Sequence, residues 1–184
     1  MRNISRRLVL LIFILLLCAQ SVVADSGRDP YEYFFNESWG DFSEELIKAK
    51  AEGKKGVLLF FEQKDCPFCH RMKTTVLNQP IVQAYFREHF LSFSVDIEGD
   101  IEITGFKGKS MTQKEFSEKL NRVRATPVFG FYDFEGNQVV RYTGATSGID
   151  EFLWLGEFFV TGEYKHTKFS KFKRQKRKAI KNSL

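Results

Sequence analysis

Apolar positions divide the chain into blocks of different period. From Phe42 to Glu52, Leu46, Ile47 and Ala49 fall on one side of a helical repeat, with Gly53 as the stop. The run 56-GVLLFFE-62 is continuously apolar and rich in strand formers, which suits a strand covered on both faces. A helical pattern follows from Cys69 to Leu77, is interrupted at Asn78-Gln79-Pro80, and resumes over 81-IVQAYFREH-89. Apolar and polar residues then alternate at the start of 90-FLSFSVDI-97, predicting a second strand. The Gly-rich stretch 98–110 has no clear period and reads as irregular. Thr112 and Glu115 make a capping box for a helix reaching about Asn121. The segments 127-PVFGFYDF-134 and 138-QVVRYTG-144, joined at Glu135-Gly136-Asn137, read as a β-hairpin. A last amphipathic helix covers Ile149 to Val160. Strands separated by helices and closed by an antiparallel pair predict an α/β fold, a central mixed β-sheet flanked by helices. No internal repeat is present.

The ends change this picture. Residues 1–24 combine MRNISRR, twelve apolar residues from Leu8 to Ala19, and small residues at Val22 and Ala24. This is the pattern of a signal peptide cut after Ala24, since a spanning helix needs about 20 apolar residues. The alternative is an uncleaved anchor. Residues 25–40 show no period and form an N-terminal extension with several aromatics; the folded domain is expected over 41–163. Of the 28 Lys and Arg residues, three lie in the leader and nine between Lys165 and Lys181, leaving 16 against 23 acids. The body is therefore acidic, at about −7, and residues 164–184 form a basic tail. The plain reading of that tail is a solvated, disordered extension. The sharper one is contact with an anionic membrane, Phe169, Phe172 and Ile180 dipping into the interface, or with an acidic protein. Nucleic acid does not fit an exported protein.

Removal of the leader takes Cys18 with it and leaves Cys66 and Cys69 in 65-DCPFCHRM-72. Export favours disulfide chemistry. Two cysteines three apart close too small a loop to staple a fold, so they read as reactive. Cys-x-x-Cys suggests dithiol exchange; with His70 it also matches a c-type haem attachment site. For haem, the available second ligands are His89, His166, Met72 and Met111. Met72 is too close in sequence to His70, His166 sits among charges, and a buried strand rather than a helix precedes the motif. Structural zinc lacks a second cysteine pair. A sulfur at Cys66 would sit at a helix start, where unpaired N–H groups and the positive dipole end favour a thiolate. Cys69, one turn on, can resolve a mixed disulfide, and Pro67 suits the first helical turn.

The order FFEQKDCPFCHRM, VDI, a Thr-started helix and RATPVFGFYDFEGNQVVRYTG resembles the thioredoxin superfamily over about residues 42–160, most nearly its exported SoxW type. Glutaredoxins share Cys-Pro-aromatic-Cys but follow the proline region with Gly-Gly, where this chain has DFEGNQVVRYTG. The resemblance implies a thioredoxin-like fold and an enzyme, a thiol–disulfide oxidoreductase needing no cofactor or metal. Cys66 would be the nucleophile, Cys69 the resolving thiol, and the pair the redox disulfide. It also implies a cis Thr126-Pro127 bond whose loop, with Pro67 and Phe68, holds an extended substrate. Thioredoxins carry a buried Asp six residues before the first cysteine, where this chain has Phe60; Glu62 is the nearest acid and the candidate proton acceptor. The usual Trp before the motif is Asp65. The SoxW likeness points to a periplasmic or otherwise exported reductase that keeps a cysteine of an exported partner protein reduced, fed by a membrane-bound electron donor. An oxidase or isomerase is the alternative.

Overall fold

The computed structural model describes residues 27–182. The predicted signal peptide and its cleavage site lie outside the described residues. A short helix α1 (Pro30–Tyr33) precedes α2 (Phe42–Ala51) and strand β1 (Gly56–Glu62). Then come α3 (Pro67–Met72), which runs on as a π-helical turn over Lys73–Leu77, α4 (Pro80–His89) and β2 (Phe90–Asp96). A small hairpin, β3 (Glu102–Thr104) and β4 (Ser110–Thr112), leads into α5 (Gln113–Glu115) and a second π turn, Phe116–Leu120. The chain closes with β5 (Val128–Tyr132), β6 (Gln138–Thr143), α6 (Ile149–Val160) and α7 (Phe169–Asn182).

The main sheet has the order β2-β1-β5-β6. Strand β2 runs parallel to β1, while β5 lies antiparallel to both β1 and β6, so the expected mixed sheet is present. All seven residues of the central strand β1 are buried, because helices cover both faces. Side chains alternate across it. Leu58 and Phe60 join Phe86, Phe129, Phe131, Phe152 and both cysteines on one face. Val57, Leu59 and Phe61 join Phe42, Leu46, Phe116 and Val128 on the other. Phenylalanine, 20 residues of the chain, fills both cores.

Three segments depart from the expected picture. The extension 25–40 is part of the core where it is described: Phe34 is fully buried against Phe86 and Phe152, and Phe35 against Phe60. The stretch 98–110 holds the β3–β4 hairpin, turned through Gly108 at φ +75°. The basic tail is a 14-residue helix rather than a disordered extension. Its Phe172 is buried and packs with Phe169 against Phe158 of α6. Lys173 and Arg177 reach Glu151 at 2.6 and 3.5 Å, and Lys176 reaches Glu157 at 2.8 Å. The rings at 169 and 172 therefore face the protein's own core, so the expectation that they dip into a membrane is corrected.

Candidate active site

Strand β1 ends at Glu62, and four residues later Cys66 caps α3 with extended backbone geometry. Pro67 occupies the first helical position, where a missing N–H costs nothing. Cys66 and Cys69 are joined in a disulfide, with Cα atoms 5.2 Å apart. The Cys69 amide, one of the orphan donors of the first helical turn, donates to Cys66 Sγ at 3.0 Å. Cys66 is 8% exposed and Cys69 1%, which separates an outer, attackable sulfur from an inner one. Beside them Phe68 is 57% exposed, with the Arg71 guanidinium 5.9 Å from its ring centroid. Arg71 also donates to the Thr146 carbonyl, tying α3 to the loop after β6. His70 is exposed, and Met72, weighed above as a haem ligand, is fully buried in the core.

The Thr126–Pro127 bond is cis. Because β5 pairs antiparallel to β1 with Val128 opposite Phe61, this loop lies beyond the C-terminal end of β1, beside the segment that leads to Cys66. Thr126 Oγ1 donates to Gln63 Oε1 at 3.0 Å, fastening the two loops together. Cys66, Cys69, Phe60 and Phe129 share one apolar cluster.

Glu62 shares β1's Phe60 face and is buried. Its carboxylate accepts from Lys73 at 2.6 Å, Tyr31 at 2.9 Å and Ser94 at 2.5 Å. Lys73 stands four residues after Cys69 and also donates to the Tyr31 hydroxyl. Burial alone would lower the Lys73 ammonium, but its bonds to Glu62 and Tyr31 hold it above the usual lysine range. Burial, reinforced by the Glu62 charge and opposed by Lys73, raises the Tyr31 phenol. The group faces a cleft of about 380 Å³ that Gln63, Lys64 and Asp96 also line. The sequence reading named Glu62 but missed Tyr31, Lys73, Ser94 and Gln63. Of these only Lys73 carried a local signal, its one-turn spacing from Cys69. Among the described residues no cluster of three His, Cys, Asp or Glu side chains is placed to hold a metal.

A thioredoxin-like domain family model matches residues 42–159. A thioredoxin-fold protein from Helicobacter pylori superposes with a TM-score of 0.57 at 28% identity, over 69% of this chain and 82% of that one. A thioredoxin from Thermus thermophilus does so with a TM-score of 0.54 at 25% identity, over 74% of this chain and 98% of its own. DsbH oxidoreductase, at 21% identity and a TM-score of 0.51, shares the fold, with 74% and 90% covered. No curated protein matches the chain.

Proposed function

The chain belongs to the thioredoxin-like family and is a thiol–disulfide oxidoreductase of that kind; from that premise we propose that it is an exported reductase of the SoxW type, keeping a cysteine of an exported protein reduced. The observation that carries the chemistry is the pairing of a rim sulfur at a helix start with a buried one a turn deeper. In the reduced enzyme, the Cys66 thiolate attacks one sulfur of the substrate disulfide and expels the other as a thiolate, which takes up a proton. Cys69 then loses its proton and attacks Cys66 Sγ, releasing the second substrate thiol and leaving the Cys66–Cys69 disulfide. A membrane-bound donor returns two electrons and two protons. Glu62 is the proposed acceptor of the Cys69 proton, oriented by Lys73 and Tyr31. The loop at Thr126 and Pro127, with Pro67 and Phe68, is proposed to hold the substrate as an extended strand.

Cys66→Ala is expected to abolish insulin reduction, and Cys69→Ala to accumulate mixed disulfides with partner proteins. Recovery of no adduct with Cys69→Ala would reject this mechanism. Direction is read by alkylating the protein in cells: a mainly reduced pair supports the reductase, and a mainly oxidised one supports the oxidase alternative. Export is supported by the leader pattern and is tested by the mature N-terminus, expected at Asp25. The outward cations of α7 are proposed to touch an anionic membrane. Since Phe169 and Phe172 are docked inside, this contact would be electrostatic. Equal pelleting of the full chain and a chain ending at Tyr164 with anionic vesicles would remove it.

A further inference from the structure

On the sheet face opposite the cysteines' cluster lies a cationic recess that the exchange chemistry does not use. It has a volume of about 750 Å³ and is lined by Lys114, Lys119, Arg122 and Arg124, with Glu118 as the one acid and Ile97 and Val123 as its apolar wall. Lys119 is paired with Glu115 at 2.7 Å. The side chains of Lys114, Arg122 and Arg124 have no hydrogen bond or ion pair among the described residues. Such a concentration is unexpected on a body that carries about −7 overall.

Its position is set by the same strand ends that place the cysteines. The Ile97 amide donates to the Glu62 carbonyl at 2.9 Å, and Thr126 is fastened to Gln63. One wall of the recess, Ile97, is thus joined to the end of β1, and Arg124 at another wall leads into the loop fastened to Gln63. Arg124 stands two residues before Thr126, and the backbone of Arg124, Ala125 and Thr126 makes no hydrogen bond among the described residues. That unpaired backbone is open to an added strand, and alternate side chains of such a strand meet the host surface about 7 Å apart. A peptide whose cysteine lies over Cys66 and whose backbone runs along Thr126 would bring a residue about two places from the cysteine alongside Arg124. Arg122 has positive φ at +49°, and its carbonyl accepts from Arg141, which holds this bend against β6.

We propose that Arg122 and Arg124, backed by Lys114, select substrates whose disulfide is flanked by acidic residues. The partner is an acidic polypeptide segment read by charge next to the attacked sulfur. The inference rests on the oxidoreductase reading above. Exposed cation–carboxylate pairs act mainly on association and are screened by salt.

The test is single-turnover reduction, by the reduced full-length mature protein, of two cyclic disulfide peptides of identical ring. One carries Glu two positions from each cysteine and the other carries Lys there. Bis(2-hydroxyethyl) disulfide serves as the uncharged control. The wild type should reduce the Glu peptide roughly three- to twenty-fold faster at low salt, each exposed pair contributing a few-fold at most. The preference should collapse at 0.5 M salt (~4 Å screening length). Arg124→Glu should lower it, Arg122→Gln/Arg124→Gln should bring it to about one, and all variants should keep the control rate. Equal rates on both peptides with the wild type, or an unchanged preference in the double variant, would overturn the proposal while leaving the oxidoreductase reading intact. Failure of the wild type on the uncharged control would overturn both.

Discussion

Glu62 illustrates how one side chain's role depends on neighbours that sequence does not reveal. From the chain alone it is an acid at a strand end, four residues before Cys66. In the fold it is buried and bonded to Lys73, Tyr31 and Ser94, which come from three different elements. Glu62→Gln keeps the shape and removes the charge, leaving the Lys73 ammonium without its counter-ion. If Glu62 takes the Cys69 proton, resolution of the mixed disulfide should slow about 10- to 100-fold at neutral pH. Its pH profile should also move, as read by stopped-flow release of substrate thiol. A drop in melting temperature with an unshifted pH profile would make Glu62 a structural residue only. Phe68 was legible directly, as an aromatic inside the motif, and its exposure supports a contact role. Phe68→Ala should cut kcat/KM on protein substrates several-fold while sparing bis(2-hydroxyethyl) disulfide, a split that loss of folding would not produce.

Helices and strands with a strong period could be read from the chain, and those held by distant partners could not. Helix α6 occupies Ile149–Val160 as its apolar stripe predicts, and Thr112 accepts from the Glu115 amide as the capping box requires. Helix α7 was hidden because its seven basic residues, with no acid among them, resemble a solvated segment. Its counter-charges, Glu151 and Glu157, lie on α6, well upstream in the sequence. The β3–β4 hairpin was hidden because three-residue strands carry too few positions to show an alternation. Helix α7 should behave as an integral part of the domain. Phe172→Ala empties a buried site between α6 and α7 and should cost about 2–4 kcal/mol, measured by urea unfolding. An unchanged midpoint would mean that α7 is not docked in solution.

The charge pairing between α6 and α7 makes their docking pH-dependent through Glu151. Glu151 is buried; desolvation opposes its charge, but bonds from Lys173, Ser147 and Tyr142 outweigh this and pull its pKa down to about 2. A carboxylate depressed in the folded state contributes stability that is complete above its unfolded pKa, about 4.3. That contribution is lost as pH falls towards 2. Acid should therefore loosen α7 from α6 between about pH 4 and 2, seen as faster amide exchange in residues 169–182. Glu151→Gln should lose this acid step and be less stable at neutral pH by about 1–3 kcal/mol, since Lys173 and Arg177 retain partial solvent contact. An acid step that persists unchanged in Glu151→Gln would assign it to other carboxylates.

The order of apolar runs, the Cys-x-x-Cys spacing and the turn at Gly136 were enough to establish a mixed sheet, a reactive cysteine pair and the element that carries it. These are local properties: periodicity, turn chemistry and helix starts depend on residues within a few positions of one another. Which sulfur faces outward, what holds Glu62, how Gln63 joins the proline loop to the motif and why a basic tail becomes a helix are relations between segments up to 63 residues apart. They were settled when the two faces of β1 chose their helices, because burial and charge pairing act between whatever surfaces the fold brings into contact, regardless of their separation along the chain.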